Sequence, residues 1–320
     1  MIKLSIIIPV YNTEKYVSRC LNSCLNQTAD QENYEIIVIN DGSTDNSLDI
    51  VRDFEQKNKN VTVISQKNQK QGTARNNGVK LAKGKYIWFI DSDDWIEPNA
   101  ISEIVKYLYI HNLDILRFDG ADRRTYNDTA QIRSCHHIPH QIYYQHEVLL
   151  ENKFSVCVPF HVYKKDFLLD NEIYFLENIF YEDNEFMLKI FEKSSSFSYL
   201  NKCFYNVLIR EDSTTRSVDY SRKLDYIRVI ESYIEYIKTN NLKPEVQHIF
   251  EIHIARCMNS ALCGTTKSPD VFNKAIELLS NLKYLYFHVK CSKSYFHILE
   301  FHFMKYPKIL RKLLLMHYNN

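Results

Sequence analysis

The chain has 320 residues and nearly balanced charge, with 40 basic against 39 acidic side chains. This length allows one large domain or two modest ones, and the charge balance gives no indication of a nucleic-acid partner. No apolar run approaches the ~18 residues of a membrane-spanning helix, and the apolar run after Lys3 is too short for a secretory signal peptide. The scarcity of glycine (6) and proline (7) favours regular structure with few long linkers.

The 8 cysteines are scattered and form no C-x-x-C pair. Cys20 and Cys24 are four residues apart, which is the spacing of one helical face rather than of a zinc knuckle. We therefore expect reduced thiols and a cytoplasmic protein.

Strands and helices alternate in the N-terminal part of the chain. Apolar runs predict strands over 3–10, 34–40, 61–65 and 85–90, with one-sided apolar helices between them. This order predicts an α/β fold with a doubly wound, mostly parallel sheet. A helix to about His111 and a strand over 113–118 follow, whereas the polar residues 119–147 predict a hairpin or a surface excursion.

Polar residues follow these strands at their carboxyl ends, where ligands bind in sheets of this type. The strand that ends at Ile90 leads directly into Asp91-Ser92-Asp93-Asp94-Trp95. Three carboxylates this close repel one another, so we expect a cation to offset them. A divalent metal with oxygen ligands is the natural candidate, and a solvated acidic turn before a helix is the alternative.

The C-terminal third reads as helical. Helices are predicted over roughly 218–239, 243–263, 269–282 and 294–316, and Pro307 is expected to kink or break the last one. Basic and aromatic side chains dominate after Leu282, and the run 309–316 is amphipathic. Two interpretations of the last helix stay open: peripheral contact with an anionic membrane at the inner face of the plasma membrane, and an ordinary packing or homodimer helix.

Five short elements occur in order along the first two-thirds of the chain. They are SIIIPVYN at 5–12, INDGSTD at 39–45, GTARN at 72–76, FIDSDD at 89–94 and YED at 181–183. Together they resemble the motifs of inverting family 2 glycosyltransferases of the GT-A fold. The resemblance implies a Rossmann-like GT-A domain over 1–217, with a nucleotide-binding half over 1–112 and an acceptor half over 113–217. An all-helical region over 218–320 follows.

The resemblance also implies an activity. The chain would transfer a sugar from a nucleotide-diphosphate sugar, with a UDP-sugar favoured, to a saccharide or a polyprenyl-linked acceptor, as in bacterial surface polysaccharide synthesis. Mn²⁺ or Mg²⁺ would be the cofactor. Two other classes remain: a nucleotidyltransferase, which needs a glycine-rich phosphate loop that is absent after the first strand, and a non-catalytic relative that binds sugar nucleotides. The intact Asp91, Asp93 and Asp183 argue against the second.

By the resemblance, the nucleotide is held at the strand ends. Tyr11 lies in the loop around the base, and Asp41 accepts from a base N–H, which favours uracil. Asp91 holds the ribose hydroxyls, and Arg75 reaches the base or a phosphate. The alternatives are a plain strand end for the first loop, a turn pair for Asp41 and a surface salt bridge for Arg75. The full nucleotide-binding set is Pro9, Val10, Tyr11, Asn12, Asp41, Arg75, Asp91 and Ser92.

By the same resemblance, Asp93 ligates the metal, and Asp183 is the general base with Glu182 as the fallback. The alternative for both Asp183 and Glu182 is a favourable charge at a helix N-terminus. Asp94 either orients water or the donor sugar or caps a helix. Contacts with donor or acceptor are expected from Asp94, Trp95, His161, Arg210 and Arg216.

His161 lies in the acceptor-side segment, and packing in the interior is its alternative. Arg210 and Arg216 lie in the polar loop 210–217, which is predicted to act as a flap that clamps the diphosphate when it closes.

Overall fold

The computed structural model describes residues 1–125, 128–152, 154–210, 219–282 and 304–318. The chain divides into two compact units, the first made of residues 1–178 and 189–213 and the second of 179–188 and 214–320. The sequence predicts one boundary, after residue 217. The observed division follows residue 213, and the short stretch 179–188 also falls in the second unit.

The described part of the first unit contains one ten-stranded sheet. Its strands are β1 (Leu4–Val10), β2 (Tyr34–Asn40), β3 (Val61–Ser65), β4 (Tyr86–Phe89), β5 (Trp95–Ile96), β6 (Ile115–Arg123), β7 (Gln131–Arg133), β8 (Ile142–Tyr144), β9 (His161–Lys164) and β10 (Ser196–Leu208). The main path runs β3-β2-β1-β4-β9-β6-β10-β5, with β7 beside β6 and β8 beside β10.

The first four strands of this path are parallel, and so is the β6–β10 pair. Strand β9 is inserted antiparallel between β4 and β6. Every residue of β1 and β4 is buried, because parallel strands are covered by helices on both faces. The predicted α/β fold with a largely parallel, doubly wound sheet is confirmed.

Short helices connect the strands of the first unit: α1 (Val17–Leu25), α2 (Ser47–Lys57), α3 (Lys70–Leu81), α4 (Ala100–His111), α5 (Glu147–Glu151) and α6 (Lys165–Asp170). Helix α1 shows why they pack as they do. Its buried residues are Val17, Cys20, Leu21 and Cys24, and their spacing of three and four places one apolar stripe against the sheet. The shared face predicted for the two cysteines is thus present.

Residues 119–147 contain more sheet than the sequence indicates. Strand β6 continues to Arg123, and β7 pairs with it antiparallel, which is the hairpin alternative. The apolar run alone predicts a strand that ends near residue 118, because Asp119, Asp122 and Arg123 are polar. Strand β8 then pairs with β10.

The second unit is helical. Its described helices are α8 (Asp225–Thr239), α9 (Pro244–Thr265), α10 (Pro269–Ser280) and α11 (Pro307–Tyr318), and helix α7 (Glu182–Lys193) begins in this unit and ends in the first. Pro307 opens α11 rather than lying inside a helix, as its missing N–H favours. Most of the predicted helical stretch before Pro307 lies outside the described residues. Across the described helices, none combines the length and apolarity needed to cross a membrane.

Candidate functional site

Two loops at the carboxyl ends of β1 and β2 are joined by hydrogen bonds. The Asn12 N–H donates to Ser43 Oγ at 3.1 Å, and the Thr44 N–H donates to Asn12 Oδ1 at 2.8 Å. Asn12 has a φ of +52°, a left-handed conformation that asparagine tolerates better than most residues. Its neighbour Tyr11 is 48% exposed. The first loop is therefore fixed through Asn12 while Tyr11 stays accessible to a ligand.

Asp41 is buried at the end of β2. Its Oδ1 accepts from Gln66 Nε2 and from the Gln69 N–H, both at 2.8 Å. Burial raises the pKa of the Asp41 carboxyl, and these hydrogen bonds oppose the rise. The next residue, Gly42, has a φ of +74°, and a Cβ there would lie 2.9 Å from the Asn68 nitrogen. The Asp41-Gly42 pair is thus packed against the loop after β3 and is more than an exposed turn.

The side chain of Asp91 is held by two donors from α3. Arg75 Nη2 donates to Asp91 Oδ1 at 2.8 Å, and Gln71 Nε2 donates to the same oxygen at 2.6 Å. The Arg75 guanidinium is buried and lies 5.1 Å from the centre of the Phe175 ring. Arg75 is therefore the buried partner of a partly buried salt bridge with the predicted ribose-binding carboxylate, rather than a member of a surface one.

Two arginines contact Asp93. Arg210 Nε donates to Asp93 Oδ2 at 2.8 Å, and Arg19 Nη2 donates to the Asp93 carbonyl oxygen at 2.6 Å. Burial raises the pKa of the Asp93 carboxyl, and the charge of Asp91 raises it further. The Arg19 guanidinium also stacks 4.2 Å from the Trp95 ring. In this structure, part of the cationic charge that the three acids require comes from these two side chains.

Asp94 ties the acid loop to β10. Tyr205 Oη donates to Asp94 Oδ2 and the Leu208 N–H donates to Asp94 Oδ1, both at 2.8 Å. Tyr205 Oη also accepts from the Asp91 N–H at 3.0 Å. Burial raises the pKa of Asp94 well above its usual value. Asp94 does not cap a helix, since α4 begins only at Ala100; both of its carboxylate oxygens instead accept hydrogen bonds from β10.

Two further residues predicted to contact donor or acceptor, Trp95 and His161, are buried in the sheet. Trp95 is buried in β5, opposite Asn206 of β10. His161 is 0% exposed and lies opposite Arg117 in the β6–β9 ladder. Its Nδ1 is 2.9 Å from the Cys157 carbonyl oxygen, and burial lowers its pKa well below the usual value. His161 packs in the interior, in agreement with its alternative interpretation. Arg216 lies outside the described residues.

Asp183 lies in the first turn of α7, within the second unit. Its Oδ1 accepts from the backbone N–H and from Nδ2 of Asn184, both at 2.9 Å. Glu182 is 7% exposed, whereas Asp183 is more accessible. Tyr181, which precedes the helix, has a φ of +65°. The more accessible carboxylate of the pair is thus the one that the sequence motif favours.

The donor set at the acid loop fits a divalent cation that shares its ligands with a phosphate. Among the described residues, no group of three or more His, Cys, Asp or Glu side chains is arranged to hold a metal. Asp91 and Asp93 nevertheless offer carboxylate oxygens, the ligands that Mg²⁺ and Mn²⁺ prefer. Mg²⁺ commonly binds through one or two carboxylates together with substrate phosphates and water.

Reasoning from the sequence missed three residues of this site: Arg19, Gln71 and Tyr205. Gln71 immediately precedes the GTARN element, which is a signal that could have found it. Arg19 lies on the polar side of α1, and Tyr205 lies in an apolar strand. Nothing in their local sequence distinguishes them from surface and core residues.

The chain is similar in sequence to known glycosyltransferases. The family model described as "Glycosyl transferase family 2" matches residues 5–170. The chain is 32% identical over 250 residues to the poly(ribitol-phosphate) beta-glucosyltransferase of Bacillus spizizenii, covering 75% of this chain and 38% of that protein. It is 30% identical over 272 residues to the putative glycosyltransferase EpsH of Bacillus subtilis, covering 80% of this chain and 76% of that protein.

The fold is also found in a solved structure. The crystal structure of S. aureus TarS 1–349 in complex with UDP-GlcNAc matches with a TM-score of 0.73 and 22% sequence identity. The match covers 99% of this chain and 92% of that one. At this level of identity the similarity concerns the fold.

Proposed function

Because the chain belongs to glycosyl transferase family 2 and has the GT-A fold, we propose that it transfers a sugar from a UDP-sugar to a saccharide or lipid-linked saccharide acceptor. The observation that carries this proposal is the acid loop, in which Arg75 and Gln71 hold Asp91 while Arg210 holds Asp93. The UDP-GlcNAc complex of a protein with this fold supports the donor class. The name of the B. spizizenii relative supports a role in cell-surface polymer synthesis.

The donor would be held by the loops at the carboxyl edge of the parallel strands. The exposed Tyr11 stacks on the base, and Asp41 accepts from a base N–H. Asp91, with Ser92 beside it, binds the ribose hydroxyls. Arg75 fixes the orientation of Asp91 from behind, which limits the side-chain entropy lost on binding.

Asp93 would hold Mn²⁺ or Mg²⁺, which would supply a Lewis acid for the charge that develops on the leaving diphosphate. Arg210 pairs with Asp93 through one N–H donor at 2.8 Å. From this position the guanidinium of Arg210 would contribute positive charge to the binding of the diphosphate. Arg216, further along the same loop, is proposed to assist it.

Asp183 is proposed as the general base that removes the proton from the acceptor hydroxyl. A single carboxylate suffices for direct displacement, which inverts the configuration at the anomeric carbon. Glu182 is the fallback, and its burial makes it the weaker candidate.

Two substitutions test these roles separately. Asp93→Ala is expected to weaken metal-dependent UDP binding and to abolish transfer. Asp183→Asn is expected to leave UDP binding nearly unchanged but to lower the transfer rate by roughly 10²–10⁴-fold, the usual contribution of a general base. UDP affinity is measured by calorimetry and transfer by release of UDP from a panel of UDP-sugars. Asp53→Asn, which removes an exposed carboxylate on α2 paired with Lys57, is the matched control. Loss of UDP binding in Asp183→Asn would contradict the base assignment.

The reaction products separate the alternative functions. A glycosyltransferase releases UDP from a UDP-sugar. A nucleotidyltransferase exchanges pyrophosphate, and a non-catalytic binding protein releases neither. Detection of pyrophosphate exchange without UDP release would exclude the proposed activity.

A further inference from the structure

Lys223 of the second unit lies over an aromatic pair. It belongs to a 3-10 turn, Tyr220–Leu224, and its Nζ is 4.5 Å from the centre of the Tyr181 ring and 5.8 Å from that of the Tyr226 ring. The two rings stack at 4.1 Å with an interplanar angle of 10°. Cation–π contacts of this kind are attractive but leave ammonium N–H donors for other partners.

Helix α9 leaves space for the stem of Lys223. A Cβ on Gly264 would lie 2.7 Å from Lys223 Cγ and 2.9 Å from Cδ. Both distances are shorter than carbon atoms tolerate without movement. Glycine in a helix is about 0.5–1 kcal/mol less favourable than alanine. Its presence at position 264 is explained by packing, because a larger residue would collide with the stem of Lys223. The stem is held against α9 and the ammonium against the two rings.

The ammonium of Lys223 has no carboxylate partner within 4.0 Å in the described part of the chain. The adjacent Arg222 differs, because its Nε is 3.4 Å from Asp219 Oδ2 and its guanidinium lies 4.6 Å from the Phe180 ring. Lys223 is thus held by its contacts with the two rings and with α9, whereas the adjacent Arg222 pairs with Asp219. An anionic ligand is the partner that this chemistry recognises.

The same aromatic pair adjoins the carboxylate proposed as the base. Tyr181 comes two residues before Asp183, and its left-handed backbone is rare for an aromatic residue. Such conformations persist where the surrounding structure enforces them, often at ligand sites. Burial raises the pKa of Tyr226, and the charge of Asp183 is among the further causes. Lys223, the two rings and Asp183 therefore form one neighbourhood of the second unit.

From this neighbourhood we infer that Lys223 binds an anionic group of the acceptor, a phosphate or a carboxylate, and so presents the acceptor hydroxyl to Asp183. The inference rests on the proposed function and specifies its acceptor class as an anionic glycopolymer. The rings bind the apolar face of the polyol or sugar, and the ammonium selects for the charge.

Binding of three oligomers to the full chain with UDP present tests the inference. The probes are a ribitol phosphate oligomer, a hexuronate oligosaccharide and a neutral hexose oligosaccharide, compared by calorimetry. One anionic probe is expected to bind at least roughly tenfold more tightly than the neutral one, the strength of a charge-assisted hydrogen bond. The identity of that probe distinguishes phosphate from carboxylate.

Three variants assign the preference to Lys223. Lys223→Met keeps the stem and removes the charge, so it should abolish the preference for the anionic probe. Gly264→Ala should weaken the same preference by displacing Lys223, whereas Arg222→Gln should retain it within about twofold. A wild-type chain that binds all three probes equally, or a Lys223→Met variant that keeps the preference, overturns the inference. Failure of the proposed function is distinguishable, because the wild-type chain would then release no UDP from any UDP-sugar.

Discussion

At the scale of single residues, the acid loop depends on neighbours that carry no motif. Tyr205 accepts from the backbone N–H of Asp91 and donates to the carboxylate of Asp94. Its hydroxyl therefore fixes the position of the acid loop relative to β10. The spacing of Asp91 and Asp93 in the sequence was enough to predict both as site residues. Tyr205 could not be predicted in this way, because its contacts form only when two distant parts of the chain meet.

Tyr205→Phe should lower both stability and donor affinity. Removing the hydroxyl leaves a buried N–H and a buried carboxylate oxygen without this partner, which costs about 1–3 kcal/mol. Tyr86→Phe is the matched control, because Tyr86 is also fully buried and donates to the Leu108 carbonyl oxygen at 3.0 Å. Urea unfolding measures the stability of each variant and calorimetry its UDP affinity. Equal loss of UDP affinity in both variants would show that Tyr205 has no specific role in the loop.

The open role of Asp94 shows how much of the site could be predicted. Spacing and residue type indicated a cluster of acids and its position at the carboxyl edge of the sheet. They could not separate Asp94 from Asp91 and Asp93, since all three are short acids in one turn. Only the contacts of Asp94 with Tyr205 and Leu208 assign it to the protein interior.

At the scale of secondary-structure elements, the parallel strands were the most predictable part. The apolar runs of β1, β2 and β4 are almost wholly buried, as expected for central strands, whereas β3 lies at the edge of the sheet. Strand β9 has only four residues, and the direction of so short a strand depends on its neighbours. Strands β5 and β7 have two and three residues, too few to show a period.

Helix α9 contains a buried histidine that makes stability depend on pH. His253 is 7% exposed, and burial, with a further contribution from the charge of Arg256, lowers its pKa to about 3. The unfolded chain binds this proton near the ordinary value of 6.5, whereas the folded chain does not. Stability from His253 is therefore fully present above about pH 6.5 and is lost as the pH falls towards about 3.

His253→Gln should flatten this dependence. The free energy of unfolding in urea, compared between about pH 7 and about pH 5, should fall less in the variant, with a limit of about 1.4 kcal/mol per pH unit for one proton. His248→Gln, at a more exposed position on the same helix, is the comparison variant. An unchanged slope in His253→Gln would contradict the account.

Helix α11 is packed on one side and exposed on the other. Leu310 and Leu314 are buried, and Arg311 Nε donates to the Thr266 carbonyl oxygen at 2.6 Å. Ile309 and Leu313 are about half-exposed on the other side. The predicted packing role is present, and the proposed membrane contact would use the exposed pair.

Flotation with vesicles tests that contact. The wild-type chain should float with vesicles rich in anionic phospholipid. The double variant Ile309→Glu and Leu313→Glu should remain in the aqueous fraction, because inserting two carboxylates into the membrane surface is unfavourable. Neutral vesicles are the control. Equal flotation of both proteins would exclude this helix as the contact.

At the scale of the whole molecule, the two units divide the proposed chemistry. The loops proposed to bind nucleotide and metal belong to the first unit, and Asp183 and Lys223 belong to the second. The sequence placed one boundary near residue 217 because the helical pattern begins there. It could not show that 179–188 belongs with the later helices, since α7 is a single uninterrupted helix by its own pattern.

The central claim is that Asp91 and Asp93 bind a UDP-sugar together with a divalent cation. Calorimetry of UDP binding to the full chain, with Mn²⁺ and then with a chelator, tests it most directly. The account predicts that Mn²⁺ tightens UDP binding by roughly tenfold or more, the scale expected when a cation bridges a carboxylate and a diphosphate. An unchanged UDP affinity in the two conditions would contradict it.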